Sequence, residues 1–443
     1  MSIESHLNKI RHRLGGASAS LGVRVIGRAL SFVSVLVLTR TLGVHGYGVY
    51  TYAVAWATLL TLPSTLGANR LLVRHIASYE ATERRAESRA LVSYAQRLNL
   101  IIAVGVSAIL GVVAILCFDS TYLWAVVIAL PLIPIQGATE VDQAALQGLH
   151  HPELSLAPTF VVAPCLLAVF ILAGKMLGLS FVATSALVVA GCAAFGALLV
   201  ARVLRRRYLR TDRGSSRNIV AAKRRIWWID LRPLMLVALV TNASAQLEPI
   251  MLGWLGDPAE VGRFQVALRV AQIVSLVLMG INTAIAPRIA KAHALGDMTA
   301  VREEAVSGSR LSLLWSLPVA AVVMALQGWL FHLFAITGGN MALTLGILVM
   351  AELINAAVGS VSVLLTMTGR GGTAARALLV GLALDITLCL VLIPSLGEVG
   401  GAIASGTDLV AWNLILAWVV WKTMGFNPSA LSRAGTLRRT PQV

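Results

Sequence analysis

Two arginines, Arg24 and Arg28, stand one helical turn apart inside the apolar stretch LGVRVIGRALSFVSVLVLTRTLG, residues 21–43. A guanidinium near the middle of a bilayer costs at least ~2.5–3.5 kcal/mol on insertion scales, so its presence asks for a chemical reason. Ser20, Arg24, Gly27, Arg28, Ser31 and Ser34 recur at helical spacing and form one polar stripe. Such a stripe must face a protein interior or a water-filled cavity, not lipid. At 1.5 Å per residue Arg28 lies about 15 Å into the span, too deep for snorkelling, which would serve Arg24 better. A second cationic face carries Gln265, Arg269 and Gln272, with Arg263 toward one end of the same helix. Arginine suits a phosphate or pyrophosphate, because its planar fork gives two parallel, permanently charged hydrogen bonds. Arg24, Arg28, Arg269 and Arg263 are therefore the candidate substrate-binding residues, with arginines of the two halves expected to converge across a central cavity.

Acids in apolar stretches are the other unusual residues. Glu248, Glu352, Asp385 and Asp408 lie in the second half, Glu140 and Asp142 in the first. Glu248 sits in TNASAQLEP, a polar run for a span, where Pro249 frees a backbone carbonyl. Intramembrane acids commonly mark proton relays or cation sites. Glu248, Asp385, Asp408 and Glu352 are the candidate cation-coupling residues. Local pairing is the plain alternative: Glu248 with Arg24 or Arg28, Asp385 with Asn413. No organic cofactor is expected, and the coupling ion stays open between Na+ and H+. No metal site is firmly expected either. The four cysteines fall in apolar runs without ligand spacing, and HHPE at residues 150–153 reads as a turn. There is no Walker-A loop and no Ser/His or Cys/His arrangement, so the chain does not read as an enzyme.

The elements that position these groups follow from composition. Apolar residues make up 57% of the 443 and charged residues 13%, with a mean hydropathy of +0.81. A soluble domain would carry about 25% charge. At about 20 residues per span, twelve spans are expected, at 18–41, 46–66, 98–118, 121–148, 154–174, 178–201, 233–255, 261–286, 311–336, 341–367, 377–395 and 399–421. The chain divides into an N-terminal segment (1–17), a first lobe of six spans (18–202), a basic linker (203–232), a second lobe of six spans (233–423) and a tail (424–443), expected to be disordered from Asn427 onward. Of the 36 Lys and Arg, 30 fall in the termini and alternate loops, which places both termini in the cytoplasm by the positive-inside rule. The net charge of +16 is then mostly topology, with the linker meeting anionic lipid, and nucleic acid is not an expected partner. The halves also echo each other: Gly48, Tyr50, Ala53 and Arg74 match Gly262, Phe264, Ala267 and Arg288 at one offset. This implies an all-α polytopic membrane protein whose two six-helix lobes are related by a parallel pseudo-two-fold repeat, an arrangement used by alternating-access transporters.

Three stretches resemble a known family. LTRTLGVHGYGVYTYA after an arginine-bearing helix resembles the opening of bacterial polysaccharide repeat-unit (O-antigen type) flippases. MLGWLGDPAEVGRFQVALRV, followed by INTAIAPRIAKAHALGD, resembles their seventh and eighth helices, and LLTMTGRGGTAARALLVGLALDITLCLVLIPSLGEVGGAIAS their tenth to twelfth. They belong to the multidrug/oligosaccharidyl-lipid/polysaccharide exporters, with the lipid II flippases and the multidrug and toxin extrusion antiporters. The resemblance implies a central V-shaped cavity and export of an undecaprenyl-pyrophosphate-linked oligosaccharide across the cytoplasmic (inner) membrane. It implies pyrophosphate contacts from Arg28 and Arg269, and a sodium site at Glu248 and Asp385. Implied partners are the lipid-linked oligosaccharide, membrane lipids, and a polysaccharide polymerase with glycosyltransferases. Glu248 stands where relatives often have Asp, and Asp385 where many have Asn. The extra helices of lipid II flippases are missing, which argues against lipid II as cargo. The rival readings are a cation-coupled multidrug or small-molecule exporter on the same fold and a non-transporting scaffold for polysaccharide synthesis.

Overall fold

The computed structural model describes residues 3–65, 68–209, 219, 220, 223, 225, 227, 243–336, 338–368 and 371–432. The long apolar stretches among them are helical, because lipid offers no water to satisfy N–H and C=O groups and a helix pairs them internally. Two compact units divide the chain, Met1–Gln246 and Leu247–Val443.

In the first unit, α1 (Ile3–Thr65) is broken at Gly43, with φ 68° and ψ 174°. That left-handed φ is strained for any residue with a Cβ, so the bend falls at the glycine of LGVHG and splits the helix into the first two spans. α2 (Ala68–Ala81) is a short amphipathic connection. α3 (Arg85–Cys117) is the third span. α4 (Ser120–Ala129) and α5 (Leu132–Gly148) build the fourth around Pro131. The fifth combines α6 (Pro152–Ala157), a π-helical turn (Pro158–Val162) and α7 (Ala163–Met176). α8 (Ala183–Tyr208) is the sixth.

Residues 243–255 are helical, and the second unit begins within them at Leu247; the earlier part of the expected seventh span lies outside the described residues. α9 (Pro258–Ala294) is capped by Asp257, whose carboxylate accepts from the Ala259 N–H at 2.8 Å. α10 (Met298–Ala325) and α11 (Gln327–Leu333) form the ninth span. α12 (Met341–Val358) and α13 (Val361–Met367) form the tenth, broken at Gly359 (φ 83°), where a Cβ would also strike Ser309. α14 (Gly371–Leu396) and α15 (Glu398–Met424) complete the unit. Ten stretches of the described residues are long and apolar enough to cross a membrane, the first being the 44-residue bent pair.

Burial runs opposite to that of a soluble protein. α3 turns Ile101, Val104, Ile109, Val112 and Leu116 outward and buries Asn99, Ala103 and Ala114. Large apolar side chains lose nothing in lipid, whereas small residues let helix backbones approach.

Two expectations are corrected. The tail is ordered through Ser432: Phe426 is buried, Ser309 Oγ donates to the Pro428 carbonyl at 2.8 Å, and the Ala430 N–H donates to the Ala357 carbonyl at 2.8 Å. These bonds fix a segment whose polarity alone suggested disorder. The basic linker does more than meet lipid. Trp227 is buried with its indole N–H on the Tyr79 hydroxyl at 3.0 Å, and Lys223 pairs with Glu87. HHPE is a turn, with His150 at φ 65° and Pro152 opening α6.

Candidate functional site

In the first unit the polar stripe of α1 is split between packing and charge. Pro158 and Pro164 each remove a helical donor, and the fifth span widens into its π turn between them. A Cβ on Gly27 would stand 2.6 Å from the Phe160 Cβ and 2.7 Å from its carbonyl oxygen, so α1 needs glycine to close on that turn. Ser34 Oγ donates to the Pro164 carbonyl at 2.8 Å. On the same helix Arg24 is exposed, its guanidinium 5.9 Å from the centre of the Phe160 ring, and Arg28 is half-buried. Glu140 and Asp142 have local partners instead of an ion-coupling geometry. Asn69 Nδ2 donates to Glu140 at 2.9 Å. The fully buried Asp142 accepts from Gln96 Nε2 at 2.8 Å and pairs with Arg202 and Arg205.

In the second unit Arg269 is exposed, and its Nη1 donates to the Gln272 amide oxygen at 3.4 Å. Arg263 behaves differently from the sequence expectation. Its Nε and Nη2 grip Glu398 at 3.1 and 2.9 Å, and the same carboxylate accepts from the Asn340 N–H at 3.0 Å. The fork proposed for substrate is occupied by a buried partner that ties α9 to the loop before α12 and the start of α15. Removing one partner of a buried ion pair costs about 3–5 kcal/mol. Arg263→Ala and Glu398→Gln are therefore expected to lower the melting temperature in detergent to a similar degree, and the double variant by less than their sum. Unchanged melting with lost transport would instead restore Arg263 as a cargo ligand.

The acids of the second unit divide into two groups. Glu248 and Asp385 are buried, at 6% and 0% exposure, and both lie within electrostatic reach of Asp408 and of each other. The Ser405 hydroxyl stands beside Glu248. Asp385 Oδ1 accepts from Cys389 Sγ at 3.5 Å, while Oδ2 has no partner among the described residues. Gly381 admits Asp408, since a Cβ there would meet its carboxylate. Glu352 belongs to a separate chain of amides: Asn355 Nδ2 donates to it at 3.2 Å, and Asn413 Nδ2 donates to Asn355 Oδ1 at 3.1 Å. Asn413, the partner that sequence offered Asp385, is thus engaged elsewhere. Among the described residues no three His, Cys, Asp or Glu side chains are arranged to hold a metal ion. Sequence reading passed over Ser405 and Cys389. The i, i+4 spacing of Asp385 and Cys389 was a usable signal, whereas nothing in the sequence pairs Ser405 with Glu248.

Residues 14–293 match the family described as "Polysaccharide biosynthesis protein", and residues 233–391 match MatE. The chain is 28% identical over 198 residues to a "Probable multidrug resistance protein NorM" of Deinococcus radiodurans, covering 43% of each. It therefore spans less than half the length of that curated relative. Its fold is similar to the inward-facing conformation of a multidrug resistance MATE family transporter of the MOP superfamily, with a TM-score of 0.72, 15% identity and coverage of 92% of this chain and 98% of that one. It is also similar to a MOP superfamily transporter from Pyrococcus furiosus described by the reverse polarity of its binding pocket, with a TM-score of 0.60, 14% identity and coverage of 92% and 98%.

Proposed function

This chain belongs to the polysaccharide biosynthesis protein family, and on that premise we propose that it is a cation-coupled exporter moving an amphiphilic cargo out across the bacterial cytoplasmic membrane. At the coarser level it is a multi-pass membrane transporter of the MOP superfamily. The observation that carries the coupled mechanism is Asp385, fully buried with one carboxylate oxygen unpartnered among the described residues, beside Glu248 and Asp408. A buried carboxylate without a fixed cation is neutralised by a proton or a bound ion. Occupancy that differs between inward- and outward-open states converts an ion gradient into a population shift.

The named multidrug relative and structural neighbours support a small-molecule exporter ahead of a glycolipid flippase. A second cargo reading rests on a different observation. Arg24, Arg28 and Arg269 bring fixed positive charge into apolar helices, which disfavours a cationic drug and favours an anionic headgroup such as an undecaprenyl-pyrophosphate-linked oligosaccharide. Under that reading a polysaccharide polymerase and glycosyltransferases become partners.

Proteoliposomes loaded in parallel with a lipophilic cation, a lipophilic anion and a prenyl-pyrophosphate oligosaccharide separate these readings. Gradient-driven movement of a small amphiphile is the expected result. Movement of the glycolipid alone would establish the second reading, and movement of none would overturn transport.

A further inference from the structure

The end of the second unit that carries the C-terminal segment holds a groove of about 900 Å³ along α10. Its floor is one helical stripe, Glu303, Ser307, Arg310 and Leu314, spaced i, i+4, i+7 and i+11, and all four are exposed. The order of groups along this stripe is informative. Arg310 is the last residue of the polar run MTAVREEAVSGSR, and apolar LSLLW follows at once. Arg310 therefore sits at the polar–apolar boundary. Leu314 extends toward lipid, and Glu303 lies about 10 Å to the polar side at 1.5 Å per residue.

Arg310 is held in place without being neutralised. Its Nη2 donates to the Ser432 carbonyl at 2.6 Å and its Nε to the Ala430 carbonyl at 3.3 Å. Both acceptors are backbone oxygens of the docked tail. Among the described residues neither Arg310 nor Glu303 has a partner of opposite charge. Glu304, also on the rim, is met by Arg288 at 3.7 Å, and Arg302, next to Glu303 in sequence, is engaged in a contact of its own. The stripe thus presents a cation at the boundary, Arg310, and an anion to the polar side, Glu303, which does not fit a purely anionic headgroup.

We propose that this groove binds a zwitterionic phospholipid with a primary ammonium, of the ethanolamine class. The phosphate meets Arg310, the ammonium meets Glu303 with Ser307 between them, and an acyl chain runs along Leu311 and Leu314. Each polar group of the lipid then faces its complement at the depth where it lies in the leaflet. Ordered contact between lipid and Arg310 also bears on the tail, because the same guanidinium pins Ala430 and Ser432.

Native mass spectrometry of the full chain in detergent tests this, using phosphatidylethanolamine, phosphatidylcholine and phosphatidylglycerol of one acyl composition. The ethanolamine lipid should be retained about ten-fold more tightly than either other lipid, a difference of ~1.4 kcal/mol. Methylation of the ammonium in phosphatidylcholine removes its hydrogen bonds, and Glu303 repels phosphatidylglycerol. Glu303→Gln, an exposed change, should abolish the preference and let phosphatidylglycerol bind at least as well. Arg310→Lys should keep the tail docked while weakening all three lipids. Equal or tighter binding of phosphatidylglycerol by the unaltered chain, or an unchanged ranking in Glu303→Gln, would overturn the proposal. So would ethanolamine-lipid binding that emerges only after residues 433–443 are removed, since the tail would then be the occupant.

Discussion

Alanine at Arg28 is expected to cut transport of an anionic amphiphile on the order of 10- to 100-fold, the ~1.5–3 kcal/mol of a hydrogen bond to a charged group. Arg28 is half-buried next to Gly27, the point at which α1 closes on the π turn of the fifth span. Arg28→Lys should keep part of the activity, because the charge survives while the bidentate fork is lost. The same series at Arg269 should behave alike, since its Nη1 meets a neutral group, the amide oxygen of Gln272. Flux of a prenyl-pyrophosphate probe and of a lipophilic cation, measured on matched amounts of protein, checks both. Removing a positive charge should leave cation flux intact or raise it. Equal loss of both cargoes, or loss of the folded protein, would mean that these arginines are structural. Normal anion flux in both alanine variants would exclude an obligatory anion-binding role.

The membrane class and most of the span limits were legible because burial in lipid leaves few options. A stretch of about 20 apolar residues must be helical, and glycine marks the break wherever φ turns positive, as at Gly43 and Gly359. Pairing between distant residues was not legible. Arg263 and Glu398 are 135 residues apart, and nothing in the sequence pairs them. Only the fold shows that they close on each other. Asp142 illustrates the same limit, since its partners Arg202 and Arg205 looked like positive-inside charge until α8 was seen to pack beside α5. The tail misled for a related reason. Its anchoring bonds are made by backbone carbonyls to Ser309 and Arg310, and backbone groups leave no trace in composition. Type and period told which residues were unusual; they did not tell which unusual residues were already satisfied.

Among the acids, that distinction singles out Asp385, and its amide is expected to have the largest effect on coupling. The carboxylate is fully buried, its Oδ2 has no partner among the described residues, and its near neighbours are the thiol of Cys389 and two more acids. Among the described residues no basic residue is paired with it. Burying such a group costs free energy unless something neutralises it, and an architecture kept for packing alone would do better with an amide. Asp385→Asn should therefore fold as well as the parent or melt slightly higher. Glu248→Gln should be more nearly neutral in stability, because the Ser405 hydroxyl stands beside that side chain. Transport should respond in the opposite sense. In proteoliposomes under an imposed proton or sodium gradient, the parent should accumulate cargo against its concentration, and both variants should lose that accumulation. Passive exchange without a gradient should survive, because the cargo-binding residues are untouched. The ion whose gradient drives the parent identifies the coupling species. If the parent responds to neither gradient, the three acids are structural and export runs downhill, drawn by consumption of cargo on the far side. If Asp385→Asn abolishes passive exchange as well, the carboxylate belongs to the conformational machinery itself, and coupling must be sought at Asp408, the third acid of the cluster.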